Sequence, residues 1–288
     1  MRLFYNFDDL PRFRHPVVTM GSYDGVHSGH RQLLQRIVRI AGSLDGESVV
    51  VTFSPHPRRV LDHSGDVLRE LNSTCEKAML LADVGIDNLI VAPFTEDFSR
   101  ISSYDFVKHY LIERIGVRVL VVGYNHHFGH NKEGDYDFLS RLQSEFDFEV
   151  YELPRQEIDD QKVSSTIVRE LIAEGKMARA ARNLGQPYFA LLHRDAYGML
   201  RTDSPDKLLP PAGEYKVEVE VWDERAAICA LGERVDEGTT QNGVAAQGLE
   251  DAREEKHEDK APHTLTITLD GGLLLDPPAP AGDFIVTF

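Results

Sequence analysis

In the first two thirds of the chain, short unbroken apolar runs alternate with stretches of helical spacing. His15–Met20 (HPVVTM), Glu47–Phe53 (ESVVVTF), Asp87–Ala92 (DNLIVA) and Val117–Val122 (VRVLVV) predict strands, and Phe148–Tyr151 a weaker fifth. The runs in Glu47–Phe53, Asp87–Ala92 and Val117–Val122 are continuous rather than alternating, as in strands buried on both faces. Between the strands, Leu33, Leu34, Ile37, Val38 and Ile40 follow helical spacing after His30. Ser73-Thr74-Cys75-Glu76 is a capping-box pattern opening a helix to about Asp83. Ser102 and Ser103 are caps for a helix running to about Ile115. Such alternation predicts a parallel sheet covered by helices.

After Tyr188 the period changes to two. Tyr215, Val217, Val219 and Val221 alternate with Lys216, Glu218, Glu220 and Trp222, and Leu265, Ile267 and Leu269 alternate with threonines. Both predict half-buried antiparallel strands, punctuated by Pro210-Pro211 and Pro277-Pro278. The expected division is therefore residues 1–187 and 188–288. Within the second part, 236–263 has almost no apolar periodicity and an excess of acids, and reads as a surface loop.

Composition narrows the function. Lys and Arg number 31 against 47 Asp and Glu, a formal charge of −16. That argues against a nucleic-acid partner, which needs net positive surface, but not against a small anion held by a few local cations. No apolar run approaches the ~20 residues that span a membrane, and the start lacks the plan of a signal peptide. Cys75 and Cys229 lie far apart, which fits a reducing cytoplasm.

Four segments could carry chemistry. Gly21-Ser22-Tyr23-Asp24-Gly25-Val26-His27-Ser28-Gly29-His30 lies between the first strand and the first helix. Its glycines permit tight turning and close backbone approach. The helix N-terminus suits a phosphate, and His27 and His30 add donors. By residue frequency His-x-Gly-His is expected only ~0.04 times in this chain. Asp24 either orients this loop or caps a turn. Ser164-Ser165-Thr166, followed by Arg169 one turn along the same face, offers hydroxyls and a guanidinium to a polyphosphate. Gly123–His130 follows the fourth strand and contains Asn125, His126 and His127. A substrate loop fits it better than zinc, because no Cys or carboxylate completes a ligand set. Phe53-Ser54-Pro55-His56-Pro57 ends the second strand and is as well explained by a structural turn as by a site.

Taken in order, these segments resemble the adenylyltransferase domain of bacterial FAD synthetases. The family pattern is G-x-F-D-G-V-H-x-G-H, F-x-P-H-P, G-x-D-x-x-F-G, S-S-T-x-x-R-x-x-L and a closing L-G-R-P-Y. The resemblance covers about residues 15–188. Tyr23 stands where Phe is usual, Asn125 where an acid is common and His127 where Arg often sits. It implies a Rossmann-like α/β nucleotidyltransferase domain with a parallel sheet, followed by a smaller antiparallel, barrel-like domain. It also implies transfer of the adenylyl group from ATP to FMN, with Mg²⁺. In that reading His27, His30 and Arg169 are catalytic. Gly21, Ser22, Tyr23, Asp24, Gly29, His56, Asn125, His127, Ser164, Ser165 and Thr166 line the substrates. The family commonly carries a riboflavin kinase after this domain, opening with a motif that includes P-T-A-N. No such motif occurs here, although Leu209–Tyr215 resembles a later kinase strand entry. The tail is expected to be a degenerate kinase barrel. The alternatives are a bifunctional enzyme, another nucleotidylyltransferase of the His-x-Gly-His type, and a non-catalytic flavin or nucleotide sensor.

Overall fold

A computed structural model describes residues 1–62, 68–124, 126–153, 157–158, 161–222, 263–268, 271–276 and 283–288. Asn125, Cys229, Leu269, Pro277-Pro278 and the acidic stretch 236–262 lie outside the described residues. Contacts divide the chain into two compact units. One is Met1, Leu3–Leu68 and Ala78–Asp160; the other is Arg2, Arg69–Lys77 and Gln161–Phe288.

The first unit is built on β1 (Arg2–Phe4), β2 (Val17–Met20), β3 (Ser48–Ser54), β4 (Asn88–Pro93), β5 (Val119–Gly123) and β6 (Glu149–Leu153), in the order β1-β4-β3-β2-β5-β6. Strands β2 to β6 pair in parallel. Each of the five apolar runs thus forms a strand. Val18 and Met20 of β2 pack into one core with Val49, Val51 and Ile90. Val17 faces the other way, against Ile37 and Ala41. Burial on both faces is what erased a period of two from these segments.

The helices are α1 (Ser28–Ser43), α2 (Pro57–Leu61), α3 (Thr74–Val84), α4 (Glu96–Ser99), α5 (Ser103–Asp105), α6 (Tyr136–Phe146), α7 (Ser165–Ala173) and α8 (Met177–Leu184). The capping box before α3 is formed: Glu76 N–H donates to Ser73 Oγ and Ser73 N–H to Glu76 Oε2, both at 3.1 Å. Ser102 caps α5 as expected, accepting the Asp105 N–H at 3.0 Å. The single helix expected from there to Ile115 is corrected: after α5, Phe106–Ile115 winds as a π-helix that ends at Gly116. Within it Phe106 stacks on Tyr110, with ring centroids 5.5 Å apart. Apolar spacing detects such a helix but not its width.

After β1 at the edge, the chain lays down β2 in the interior, adds β3 and β4 on one side, then crosses to add β5 and β6 on the other. The reversal falls beside β2, and ligands of open α/β sheets bind beyond the carboxyl ends of strands at that point. Residues 21–30 occupy it.

The second unit contains an antiparallel sheet of β7 (Phe189–Arg194), β8 (Leu200–Thr202), β9 (Gly213–Trp222), β10 (His263–Ile267), β11 (Leu273–Asp276) and β12 (Asp283–Thr287), in the order β8-β7-β12-β9-β10-β11. The outer strands β8 and β11 approach each other, so the sheet is nearly closed into a barrel. Leu192, Val217, Val219, Leu265, Ile267 and Phe284 fill it. The predicted alternation holds at Val217 and Val219. Val221 is exposed, where the strand nears its end. Helices α7 and α8 belong to this unit and pack Val168, Leu171, Ile172 and Leu184 against Leu71 and Tyr188.

Candidate active site

The loop after β2 is shaped by its backbone. Gly21 N–H donates to Val51 O at 3.0 Å, and Thr52 Oγ1 donates to Ser22 O at 3.1 Å, so the loop is fastened to β3. Tyr23, Gly25 and Val26 have φ of 45°, 89° and 38°. Glycine adopts this freely. For Val26, a β-branched residue, it is an outlier that only tight packing sustains, and Val26 is fully buried. A Cβ on Gly21 would lie 3.2 Å from Cε2 of Tyr23, so any larger residue there would push against the ring.

Tyr23 itself is held by a hydroxyl pair. Its OH and Thr19 Oγ1 are 2.6 Å apart, and both residues are buried. Burial pushes the phenol well above its usual range, so it stays neutral. The ring meets His30 edge-on at 5.2 Å. Thr19 was not legible as a site residue. The signal was the unexpected hydroxyl at position 23, where the family pattern has Phe. Thr19→Val should leave the Tyr23 hydroxyl buried without a partner and cost about 1–3 kcal/mol. Adding Tyr23→Phe should recover part of that loss, as urea denaturation would measure.

His27 caps α1. Its Nδ1 accepts the His30 N–H at 3.4 Å, which places the ring proton on Nε2 in the neutral tautomer. The His27 and His30 rings stack with centroids 3.7 Å apart. Burial pushes His27 down to about 4, partly offset by a backbone hydrogen bond and by the charge of buried Asp24. At neutral pH, then, the N-terminus of α1 presents the positive end of its dipole, a neutral Nε2–H donor and a second imidazole. That is an anion site made of donors on a rigid helix.

The shift has a consequence for stability. An unfolded His27 takes up its proton near pH 6.5, the folded one only near 4. Between those values the unfolded chain binds more protons, so stability falls as pH is lowered, by up to about 3 kcal/mol from this residue. His126, also pushed down to about 4 by burial and the charge of His127, acts in the same direction. The urea midpoint should drop from pH 7 to pH 5, and His27→Asn should shrink the difference.

His56 sits at the end of β3 as the N-cap of α2, its Nδ1 accepting the Arg58 N–H at 3.1 Å. His127 is exposed in the segment after β5. Beside it, His126 keeps Nε2 shielded without a hydrogen-bond partner among the described residues, its ring 5.9 Å from that of Phe128. Gly29 lies in the first turn of α1. All these residues are in the first unit. Ser164, Ser165, Thr166 and Arg169 belong by their contacts to the second. There Ser164 caps α7, accepting the Ile167 N–H at 3.4 Å. Thr166 is exposed, and Arg169 Nε donates to Arg69 O at 3.0 Å. Among the described residues no group of three or more His, Cys, Asp or Glu could hold a metal, and no helix is long and apolar enough to cross a membrane.

The family model for FAD synthetase matches residues 11–167, more than half of the 288. The chain belongs to the FAD synthetase family. It is therefore an enzyme of the nucleotidyltransferase class. A bifunctional riboflavin kinase/FMN adenylyltransferase of Listeria monocytogenes is 32% identical over 71% of this chain and 68% of its own length. Proteins of the same description are 34% identical in Pseudomonas fluorescens, over 62% of this chain and 57% of theirs, and 31% identical in Escherichia coli, over 63% and 58%. The chain thus spans less than two thirds of the length of the latter two. A Streptococcus pneumoniae structure described as a macrolide-efflux protein shares the fold, with a TM-score of 0.72 at 21% identity over 99% of this chain and 88% of that one.

Proposed function

We propose that this family member transfers the adenylyl group of ATP to FMN, giving FAD and pyrophosphate, and does not phosphorylate riboflavin. The observation that carries the reading is the His27–His30 pair stacked on the N-terminus of α1 at the sheet's switch point. An oxygen of the FMN phosphate attacks the α-phosphorus of ATP, and the bond to the bridging oxygen of pyrophosphate breaks. Charge grows on the leaving pyrophosphate, and fixed donors in a partly dry site stabilise such charge best. His27 Nε2–H and His30 supply them. The motif likeness assigns Ser164, Ser165, Thr166 and Arg169 to the β- and γ-phosphates, and Gly21, Ser22, Tyr23, Asp24 and Gly29 to the loop around the nucleotide. It assigns His56, Asn125 and His127 to the flavin side. Mg²⁺ neutralises phosphate charge when ATP brings it.

The missing P-T-A-N motif supports loss of kinase activity, while the descriptions of the relatives favour a bifunctional enzyme. One assay separates them. Purified protein is incubated with ATP and Mg²⁺ plus either FMN or riboflavin, and the flavins are separated. FAD from FMN and unchanged riboflavin are expected. No FAD alongside an active family enzyme overturns the main reading; FMN from riboflavin overturns the second clause.

A further inference from the structure

The segment between β5 and α6 lies wholly in the first unit and is fastened along its length. At its entry Tyr124 N–H donates to Leu153 O at 2.9 Å. Phe128 and Gly134 pair as an antiparallel bridge, exchanging two N–H···O bonds of 3.0 Å. At its exit Asp135 caps α6. The turn before α5 grips the middle. Buried Ser103 donates Oγ–H to Phe128 O at 3.1 Å, and His130 N–H donates to Ile101 O at 3.0 Å. Between these two bonds sits Gly129, with φ 74° and ψ 177°, a region essentially reserved for glycine. A Cβ on Gly129 would lie 2.8 Å from both N and Cα of Ser103. Those are backbone atoms, which cannot swing aside as a side-chain tip can. The helix that follows holds the ring as well: Phe128 lies 5.9 Å from Phe106. On either side of the junction, His127 and His130 stay exposed. A loop fastened in this way does not have to be ordered when a ligand arrives.

We propose that the Ser103–Gly129 junction holds the segment after β5 in its FMN-binding shape. Ser103 is then a positioning residue that acts on His127 through the backbone of Phe128. The proposal rests on reading His127 as a flavin-side contact. It extends the flavin machinery to a residue outside every motif in the sequence.

Two variants of the full chain test it. Ser103→Ala removes only the hydroxyl donor, and Gly129→Ala drives a methyl group into the Ser103 backbone. The first readout is independent of flavin. Lys132 is exposed with a left-handed φ of 59°, so the loop must open before trypsin can cut after it. That cut, identified by mass spectrometry, should be about fivefold faster in Ser103→Ala and at least about tenfold faster in Gly129→Ala. The second readout is the Kd for FMN from flavin fluorescence, which stands apart from turnover. It should rise by similar factors while the Kd for ATP stays within twofold. His127→Ala should cost less in the Ser103→Ala background than alone, because the two act on one contact. Unchanged cleavage and an unchanged Kd for FMN in Ser103→Ala overturn the junction, and that variant decides the matter if Gly129→Ala does not fold. Faster cleavage with a normal Kd for FMN, equal losses for ATP and FMN, or fully additive losses with His127→Ala overturn the positioning role. A parent chain that does not bind FMN, or a normal Kd in His127→Ala, overturns the flavin reading and the proposal with it. The cleavage rates then still report whether the junction holds the loop.

Discussion

Replacing His27 by alanine should slow adenylyl transfer by about 10²–10³-fold, the loss typical of one preorganised donor to developing charge. The side chain does two things, and the variant removes both. As the N-cap of α1 it accepts the His30 N–H through Nδ1, and losing a cap costs about 1 kcal/mol. Through Nε2–H it presents a donor at the helix N-terminus. Because burial keeps the ring neutral near pH 7, this donor acts without a charge of its own. His27→Asn separates the two contributions: asparagine caps a helix well, but its short amide does not reach the Nε2 position. The expected result is near-normal stability by urea denaturation together with a kcat lowered almost as far as in His27→Ala. His30→Ala should give a loss of the same order. A rate within threefold of the parent in His27→Asn would show that position 27 serves only as a cap.

The geometry of this candidate site was readable because it is local in sequence. Ten consecutive residues make the turn, the cap and both imidazoles, so spacing alone placed them between a strand and a helix. The capping box at Ser73 and Glu76 was readable for the same reason. What escaped were features closed by contacts distant in sequence or set by backbone geometry. Thr19 is an ordinary strand threonine until Tyr23 turns back onto it with a left-handed φ. The π-helix at Phe106–Ile115 has the apolar spacing of an α-helix. Glu76 was seen as a capping residue, which it is, but its second oxygen accepts the Leu191 N–H at 2.9 Å, 115 positions away. Nothing in the pattern around Lys207, in a run of turn residues, marks it as fully buried. Arg69–Lys77 and α7 likewise pack with the β-rich unit although they precede Tyr188, because Leu71 and Ile172 find their apolar partners there.

Lys207→Met should destabilise the chain by about 3–5 kcal/mol, because it strands a buried carboxylate. Both side chains of the Lys207–Glu76 pair are 0% exposed. Every proton of the ammonium has an acceptor, in Leu71 O, Phe189 O and Glu76 Oε2, and Nζ also lies 4.2 Å from the Tyr188 ring centroid. Desolvating two charges is costly, and only such complete pairing offsets it. Asp203 adds to the dependence on Lys207. Burial and the charge of Glu76 push its carboxyl up to about 6, and it accepts a hydrogen bond from Ser73 Oγ. The charge of Lys207 opposes that rise. With methionine at 207, Glu76 retains the Ser73 and Leu191 N–H donors but no cation. Lys207→Met/Glu76→Gln should recover much of the loss, since glutamine preserves the capping box and removes the stranded charge. Urea denaturation of the three variants measures the coupling. A single-variant loss below 1 kcal/mol, or a double variant no more stable than Lys207→Met, would mean that water or rearrangement satisfies Glu76 in place of the ammonium.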